Sequence, residues 1–223
     1  MDWKLAFRAV IYYAAGVLLV MGLLFLPAGT LEYPGGWRMM GLLFVPMLCL
    51  MVVLWLKAPE LLRKRLSSRE KQTAQQKVVK ASGLLMALGF LAAPLDFRFG
   101  WSQVPGWLTA AGSVGLLVGY GLYAEVMREN AYLSRTVEVQ EGQKVVDTGL
   151  YGVVRHPMYA ATILLFLSVP LVLGSFVSLA FFLGYPAILT ARIRNEEQVL
   201  EEGLAGYREY KRKVKWRLLP FVW

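Results

Sequence analysis

The only histidine of this chain, His156, stands between Arg155 and Pro157 in LYGVVRHPMYAAT at 150–162, at the head of a long apolar run. Histidine is the side chain whose ordinary pKa, about 6.5, puts its charge change near neutrality. Proline suits the first helical turn, where its missing N–H costs no helical bond. A helix starting there leaves free backbone donors, and Arg155 beside them adds fixed positive charge, so the trio makes a corner for an anionic group next to a proton-holding ring. Beyond the apolar run, ARIRNEEQVLEEGLAGYREYKRKVKWRLLPFVW brings Arg192, Arg194, Glu196 and Glu197 close together, with Tyr207 and Tyr210 following. Adjacent carboxylates accept hydrogen bonds from hydroxyls and amines. What these two polar segments can do depends on what sets them side by side.

Composition supplies the background: 57% of the residues are hydrophobic and 17% charged, against roughly 45–50% apolar in an ordinary soluble domain. The runs at 9–27, 37–56, 78–95 and 105–127 each approach the roughly 20 residues that a helix needs to cross about 30 Å of hydrocarbon. The first reads as a retained anchor, being longer than a signal core and lacking a small-residue cleavage pattern before LPAGTLEYPGGW. The stretch from Pro157 to about Thr190 is too long for one straight helix. Pro170, Gly174 and Ser175 within VPLVLGSF at 169–176 mark a turn, which predicts a tight hairpin of two short spans. The expectation is an all-α, polytopic membrane protein of six segments. It is a single domain over 1–223, with four spans in 1–127 and a connector, hairpin and tail in 128–223. Gly112, Gly115, Gly119 and Gly121 in the fourth span read as small-residue helix packing.

Charge gives the orientation. Residues 57–80 carry eight Lys/Arg against two acidic residues, whereas 28–37 and 94–104 together hold only Arg98. The positive-inside bias puts the basic loop in the cytoplasm, and counting crossings puts both termini, the 128–156 connector and the tail from about Arg192 there too. In a bacterium that membrane is the inner one. The net charge of +9 then reflects topology and attraction to anionic headgroups, not nucleic-acid binding, because the basic residues flank spans instead of forming one groove-sized face. Cys49 is the lone cysteine, which excludes disulfides and cysteine metal clusters, and no metal site is expected.

A hairpin returns the chain to the side it left, so the Arg155–His156 end and the Glu196–Glu197 end are neighbours and face one small pocket. Taken singly, each residue has a bland reading. Arg155 and His156 serve as interfacial anchors, Glu196, Glu197, Glu201 and Glu202 as a solvated face pairing with Arg192, Arg194 and Arg208, and the tyrosines as interface aromatics. The joint spacing argues otherwise: Gly-x-Tyr-x3-Arg-His-Pro-x-Tyr, a hairpin over 157–190, paired glutamates, then Tyr-x2-Tyr.

GLYGVVRHPMY, the hairpin after it, RNEEQVL, GYREYKRKV and the late Pro220-Phe221 resemble the C-terminal half of the isoprenylcysteine carboxyl methyltransferase family. These are integral-membrane enzymes to which the phospholipid N-methyltransferases are distantly similar. The resemblance covers roughly 142–221 and is specific as a set. It implies S-adenosylmethionine as cofactor, bound at the cytoplasmic face by the connector and tail, and a lipid-linked or prenylated acceptor arriving from the bilayer. On the cofactor side it implies Tyr151, His156, Pro157 and Tyr159, with Glu196 and Glu197 on the cofactor's polar atoms. Arg155 and His156 become the catalytic candidates, Arg155 serving the pocket or an acceptor carboxylate, and Arg194, Tyr207 and Tyr210 fall to the acceptor. Where the family commonly has glycine two residues after the motif tyrosine, this chain has Ala161, whose methyl narrows a close backbone approach.

Methyl transfer from a sulfonium to a carboxylate needs no general base, since the carboxylate is already ionised at neutral pH; alignment and exclusion of water carry the rate. His156 then walls the pocket. An amine acceptor must lose a proton, which would make His156 or a glutamate a base. Methylation of a lipid carboxylate, methylation of a lipid amine and a non-enzymatic scaffold or transporter are therefore the three classes in view. The scaffold or transporter comes last, because the spans hold almost no ionisable positions at mid-depth.

Overall fold

In hydrocarbon every backbone N–H and C=O must be satisfied within its own segment, so unbroken apolar runs become helices. The computed structural model describes residues 3–67, 73–133 and 137–223, and among them there is no strand. The order is α1 (Trp3–Ala28), α2 (Pro34–Lys57), α3 (Pro59–Ser67), α4 (Thr73–Phe99) and α5 (Gly106–Glu129). After a connector with one 3-10 turn, Gly149–Gly152, come α6 (Pro157–Leu173), α7 (Phe176–Phe182), α8 (Tyr185–Gly203) and α9 (Tyr207–Lys213). Five stretches are long and apolar enough to cross a membrane: α1, α2, residues 78–99 of α4, α5, and α7 with α8 taken together; α6 is a shorter apolar helix. The protein is thus an all-helical, polytopic integral membrane protein.

The structure differs from the sequence expectation in three places. The basic loop is partly helical: α3 buries Leu61 and Leu62 in a cluster with Leu5 and Leu54, while residues 68–72 of that loop lie outside the described residues. The return arm of the hairpin is divided between α7 and α8. Helix α8 also runs on past Thr190 to Gly203, which places both glutamates on a continuous helix and not in a tail.

The hairpin turn itself is where Pro170, Gly174 and Ser175 put it. Gly174 ends α6 at φ +81° and Ser175 caps α7, its Oγ accepting from Ser178 N–H. The last carbonyls of α6, which have no helical partner, are taken up from α2: Leu173 O accepts from the Tyr33 hydroxyl at 2.8 Å and Val172 O from Arg38 Nη1 at 3.0 Å. Asp96, 1% exposed, locks the same end. Its carboxylate accepts from Ser102 N–H at 2.6 Å, the Ser102 hydroxyl at 2.5 Å and the Ser175 hydroxyl at 2.5 Å. Between the two ends of the hairpin, α6 is held against α5 by glycines. A Cβ at Gly112 would lie 2.6 Å from Leu171 Cβ, one at Gly115 2.6 Å from Ser168 Oγ, and one at Gly119 2.8 Å from Leu165 Cγ, whereas Gly121 faces open space. Such close approach replaces the hydrophobic effect as the attraction between helices in lipid. It fixes the depth of α6 and hence the position of Pro157.

Candidate active site

The end of the hairpin opposite the Asp96 lock carries the pocket. Residues of α6, α8, α9 and the connector surround about 860 Å³ of empty space, its open mouth included. From the sequence-derived set, Tyr151, Arg155, His156, Tyr159, Glu196, Tyr207 and Tyr210 all line it, together with Arg192. Aliphatic walls come from Val137, Val145, Leu200 and Leu204. Pro157 sits buried at the first turn of α6 and sets the path of the chain without reaching the lining. Ala161, fully buried in α6, is likewise away from the lining.

Two glutamates adjacent in sequence are separated by helical geometry, since successive residues turn through about 100°. Glu197 points inward and is 3% exposed. Its Oε1 accepts from Arg155 Nε at 2.8 Å and faces His156 Nε2 at 3.3 Å; its Oε2 accepts from Arg217 Nε at 3.0 Å. Lys211 Nζ stands 3.7 Å away. Both oxygens are therefore spent on the protein, and Glu197 sits behind the pocket wall. A carboxylate partner makes Nε2 the ring nitrogen that carries hydrogen on His156, a tautomer assigned from its neighbour. Arg155 is spent as well. Nη1 donates to Val214 O at 2.7 Å and Lys215 O at 2.8 Å, and the backbone N–H groups of Arg155 and His156 donate to Trp216 O and Arg217 O, each at 2.9 Å. The 214–217 segment is thereby strapped across the head of α6.

Glu196 faces the pocket. Its Oε2 accepts from the Tyr159 hydroxyl at 2.5 Å, and that hydroxyl accepts from Arg192 Nε at 2.8 Å. Oε1 of Glu196 has no partner among the described residues. Arg194 lies on the other side of α8, exposed, along a surface groove with Glu201, Glu202 and Arg208. The arginine at the pocket is Arg192, which the i, i+4 relation to Glu196 could have singled out.

The connector is pinned over this site. Glu129 at the end of α5 accepts from Leu150 N–H at 3.0 Å, which only glycine at 149 permits: φ there is +53°, and a Cβ would fall onto the carboxylate. The Tyr210 hydroxyl donates to Tyr151 O at 2.8 Å, Asn130 Nδ2 donates to the Tyr151 hydroxyl at 2.9 Å, and Lys213 pairs with Asp147 at 2.7 Å. Tyr207 stands apart. It is 4% exposed and lines the pocket, yet its hydroxyl has no hydrogen-bond partner among the described residues. Burial, then the negative charges of Glu197 and Glu196, hold its pKa well above the usual tyrosine range, so it remains a donor at neutral pH. A buried donor without an acceptor costs free energy. A ligand acceptor atom would remove that cost.

The arrangement offers a slot of mixed polar and aliphatic walls in which Tyr207 Oη and Glu196 Oε1 have no partner among the described residues, with positive charge from Arg192 alongside. Residues 114–202 match the isoprenylcysteine carboxyl methyltransferase (ICMT) family. The match runs from α5 through α6 and α7 to the end of α8, so the resemblance read from the motifs is borne out over that stretch. A segment of 91 residues, 40% of this chain, is 30% identical to 22% of the delta(14)-sterol reductase TM7SF2 of Mus musculus. Another of 101 residues, 45% of this chain, is 32% identical to 60% of the uncharacterised protein YpbQ of Bacillus subtilis. The chain thus spans 22% and 60% of the lengths of these two relatives.

Proposed function

We propose that this membrane protein is an S-adenosylmethionine-dependent methyltransferase whose acceptor is a lipid-linked carboxylate, the two meeting in the pocket between α6, α8 and α9. The observation that carries the reading is the pair of unspent groups, Tyr207 Oη and Glu196 Oε1, inside the stretch of walls that the family match and its continuation into α9 supply. They fit this cofactor. Glu196 Oε1 would hold its hydroxyl or ammonium groups, Tyr207 would donate to one of its acceptor atoms, and Val145, Leu200 and Leu204 would give its base an apolar wall. When bound, the cofactor supplies a methyl group on a positively charged sulfur.

The residues of the chain position and exclude. Arg192, drawn to the pocket by its bond to Tyr159, brings positive charge to where an acceptor carboxylate arrives. Arg155 and His156 act through Glu197 and the strap: they hold the head of α6 and the 214–217 segment in register and close one wall against water. An ionised carboxylate has no proton to lose, so His156 is a wall and not a base. Its buried pairing with Glu197 suits that role. The pocket, with both termini, is placed on the cytoplasmic side.

Titration calorimetry of the detergent-solubilised protein with S-adenosylhomocysteine tests the reading. Heat is expected, and Tyr207→Phe should weaken binding about tenfold, about 1–1.5 kcal/mol, while thermal stability stays level or rises, because the variant removes an unsatisfied hydroxyl. The partial identity to a sterol reductase supplies the competing outcome. Heat with NADPH and none with S-adenosylhomocysteine would move the pocket to reduction, and heat with neither would end the enzymatic reading.

A further inference from the structure

Residues 217–223 close a loop whose apolar side chains point in two directions. The N–H groups of Arg217, Leu218 and Leu219 all donate to Trp223 O, at 2.9, 3.0 and 3.3 Å. Leu218 is buried in a cluster with Tyr159, Tyr185, Leu189 and Ile193, and Trp223 packs against that cluster. Those partners lie on α6 and α8, within or next to their apolar stretches, so the loop rests on the flank of the spans and not out in the aqueous phase. On its other side Leu219, Phe221 and Val222 are 57%, 87% and 74% exposed.

Phe221 also has φ +65°. A bulky side chain in the left-handed region is strained, and such strain persists where something else offsets it. Here the strained backbone turns the most exposed phenyl ring of the chain outward, with Trp216 5.4 Å away as its nearest aromatic neighbour. Of the cations leading into the loop, Lys211 and Arg217 face Glu197 and Lys213 pairs with Asp147, while Arg212 and Lys215 are exposed. Cations followed by a short apolar tip, continuous with the lipid-facing side of the spans, match one occupant: a leaflet with anionic headgroups above its acyl chains.

We propose that residues 217–223 form a wedge that dips into the bilayer at the pocket end of the spans, with Leu219, Phe221 and Val222 among the acyl chains and the exposed Arg212 and Lys215 at the headgroups. The wedge continues the strap that pairs with Arg155 and His156, so the wall of the pocket is moored to the membrane surface. It does not depend on which cofactor the pocket takes.

The test uses the full chain with Cys49→Ser, an environment-sensitive fluorophore on Phe221→Cys or Val222→Cys, and vesicles of phosphatidylcholine with phosphatidylglycerol. The same label on Glu141→Cys, an exposed connector site, serves as the aqueous reference. Labels at 221 and 222 should emit at shorter wavelength than at 141 and be quenched most by lipids spin-labelled about 5–10 Å below the headgroups. Omitting the anionic lipid should reduce that quenching. Emission at 221 and 222 equal to that at 141, with no quenching by lipid, would overturn the proposal and leave the loop as a surface for a protein partner.

Discussion

Two buried carboxylates sit at the two ends of the same helical hairpin, and they are satisfied in opposite ways. Asp96 is surrounded by neutral donors, two serine hydroxyls and a backbone N–H, and the end of α6 beside it is closed by Tyr33 and Arg38. Glu197 is surrounded by cations, with Arg155, Arg217 and Lys211 converging on it and His156 alongside. At the Asp96 end these donors and acceptors are matched. At the Glu197 end the ion pairs are spent, but Tyr207 Oη and Glu196 Oε1 beside them have no partner among the described residues. A polar cluster that closes on itself is a fastener. One that leaves groups over, in a cavity, is a place for something else to bind.

Replacing the two carboxylates by their amides sharpens this contrast. Glu197→Gln leaves Arg155 buried and without its charge partner, which should cost about 3–5 kcal/mol of stability and loosen the strap. Thermal unfolding in detergent should show the larger loss there, with weakened nucleoside binding. Asp96→Asn removes one acceptor from serine and backbone donors and should cost about 1–3 kcal/mol. It should leave ligand affinity unchanged. Equal affinity losses in both variants would mean that the two ends are not separate, and unchanged stability in Glu197→Gln would mean that the cations find water instead.

The smallest effect belongs to the rim. Asp147 is half-buried at the rim, and its bond to Lys213 holds its carboxyl below the ordinary range. A depressed folded value contributes stability above the unfolded pKa, about 3.9, and loses it as pH falls through the folded value. The margin of the natural chain over Asp147→Asn in a thermal scan should therefore be small but present at pH 7 and should shrink below about pH 4. A margin that grows on acidification would break the assignment.

The spans and the hairpin were legible because length and hydropathy decide them: bilayer thickness sets how many apolar residues form a helix, and Pro170, Gly174 and Ser175 have few other uses inside one. The meeting of Tyr151, Arg155, His156 and Tyr159 with Glu196 followed from the same topology, since a hairpin must bring its ends together. The arginine was misplaced because facing depends on where α8 begins and how far it runs. With the helix carried to Gly203, Arg192 and not Arg194 shares a side with Glu196. Glu197 was expected on the cofactor, but one residue of helical turn aims it at Arg217 and Arg155. Nor could the serines around Asp96 be foreseen, because Ser102 and Ser175 reach it from separate loops and neither spacing carries a signal.

The strap has a consequence for how the molecule is made. Arg155 and His156 are paired through their backbones with Trp216 and Arg217, across the entire hairpin and α9. During synthesis α1 to α5 enter the membrane before residues 214–217 leave the ribosome. Until they do, Glu197 lacks Arg217, Arg155 lacks its two carbonyl acceptors, and one side of the pocket stands open. The first helices are thus inserted early and the site is completed late, so a half-made chain occupies the bilayer with its pocket still open.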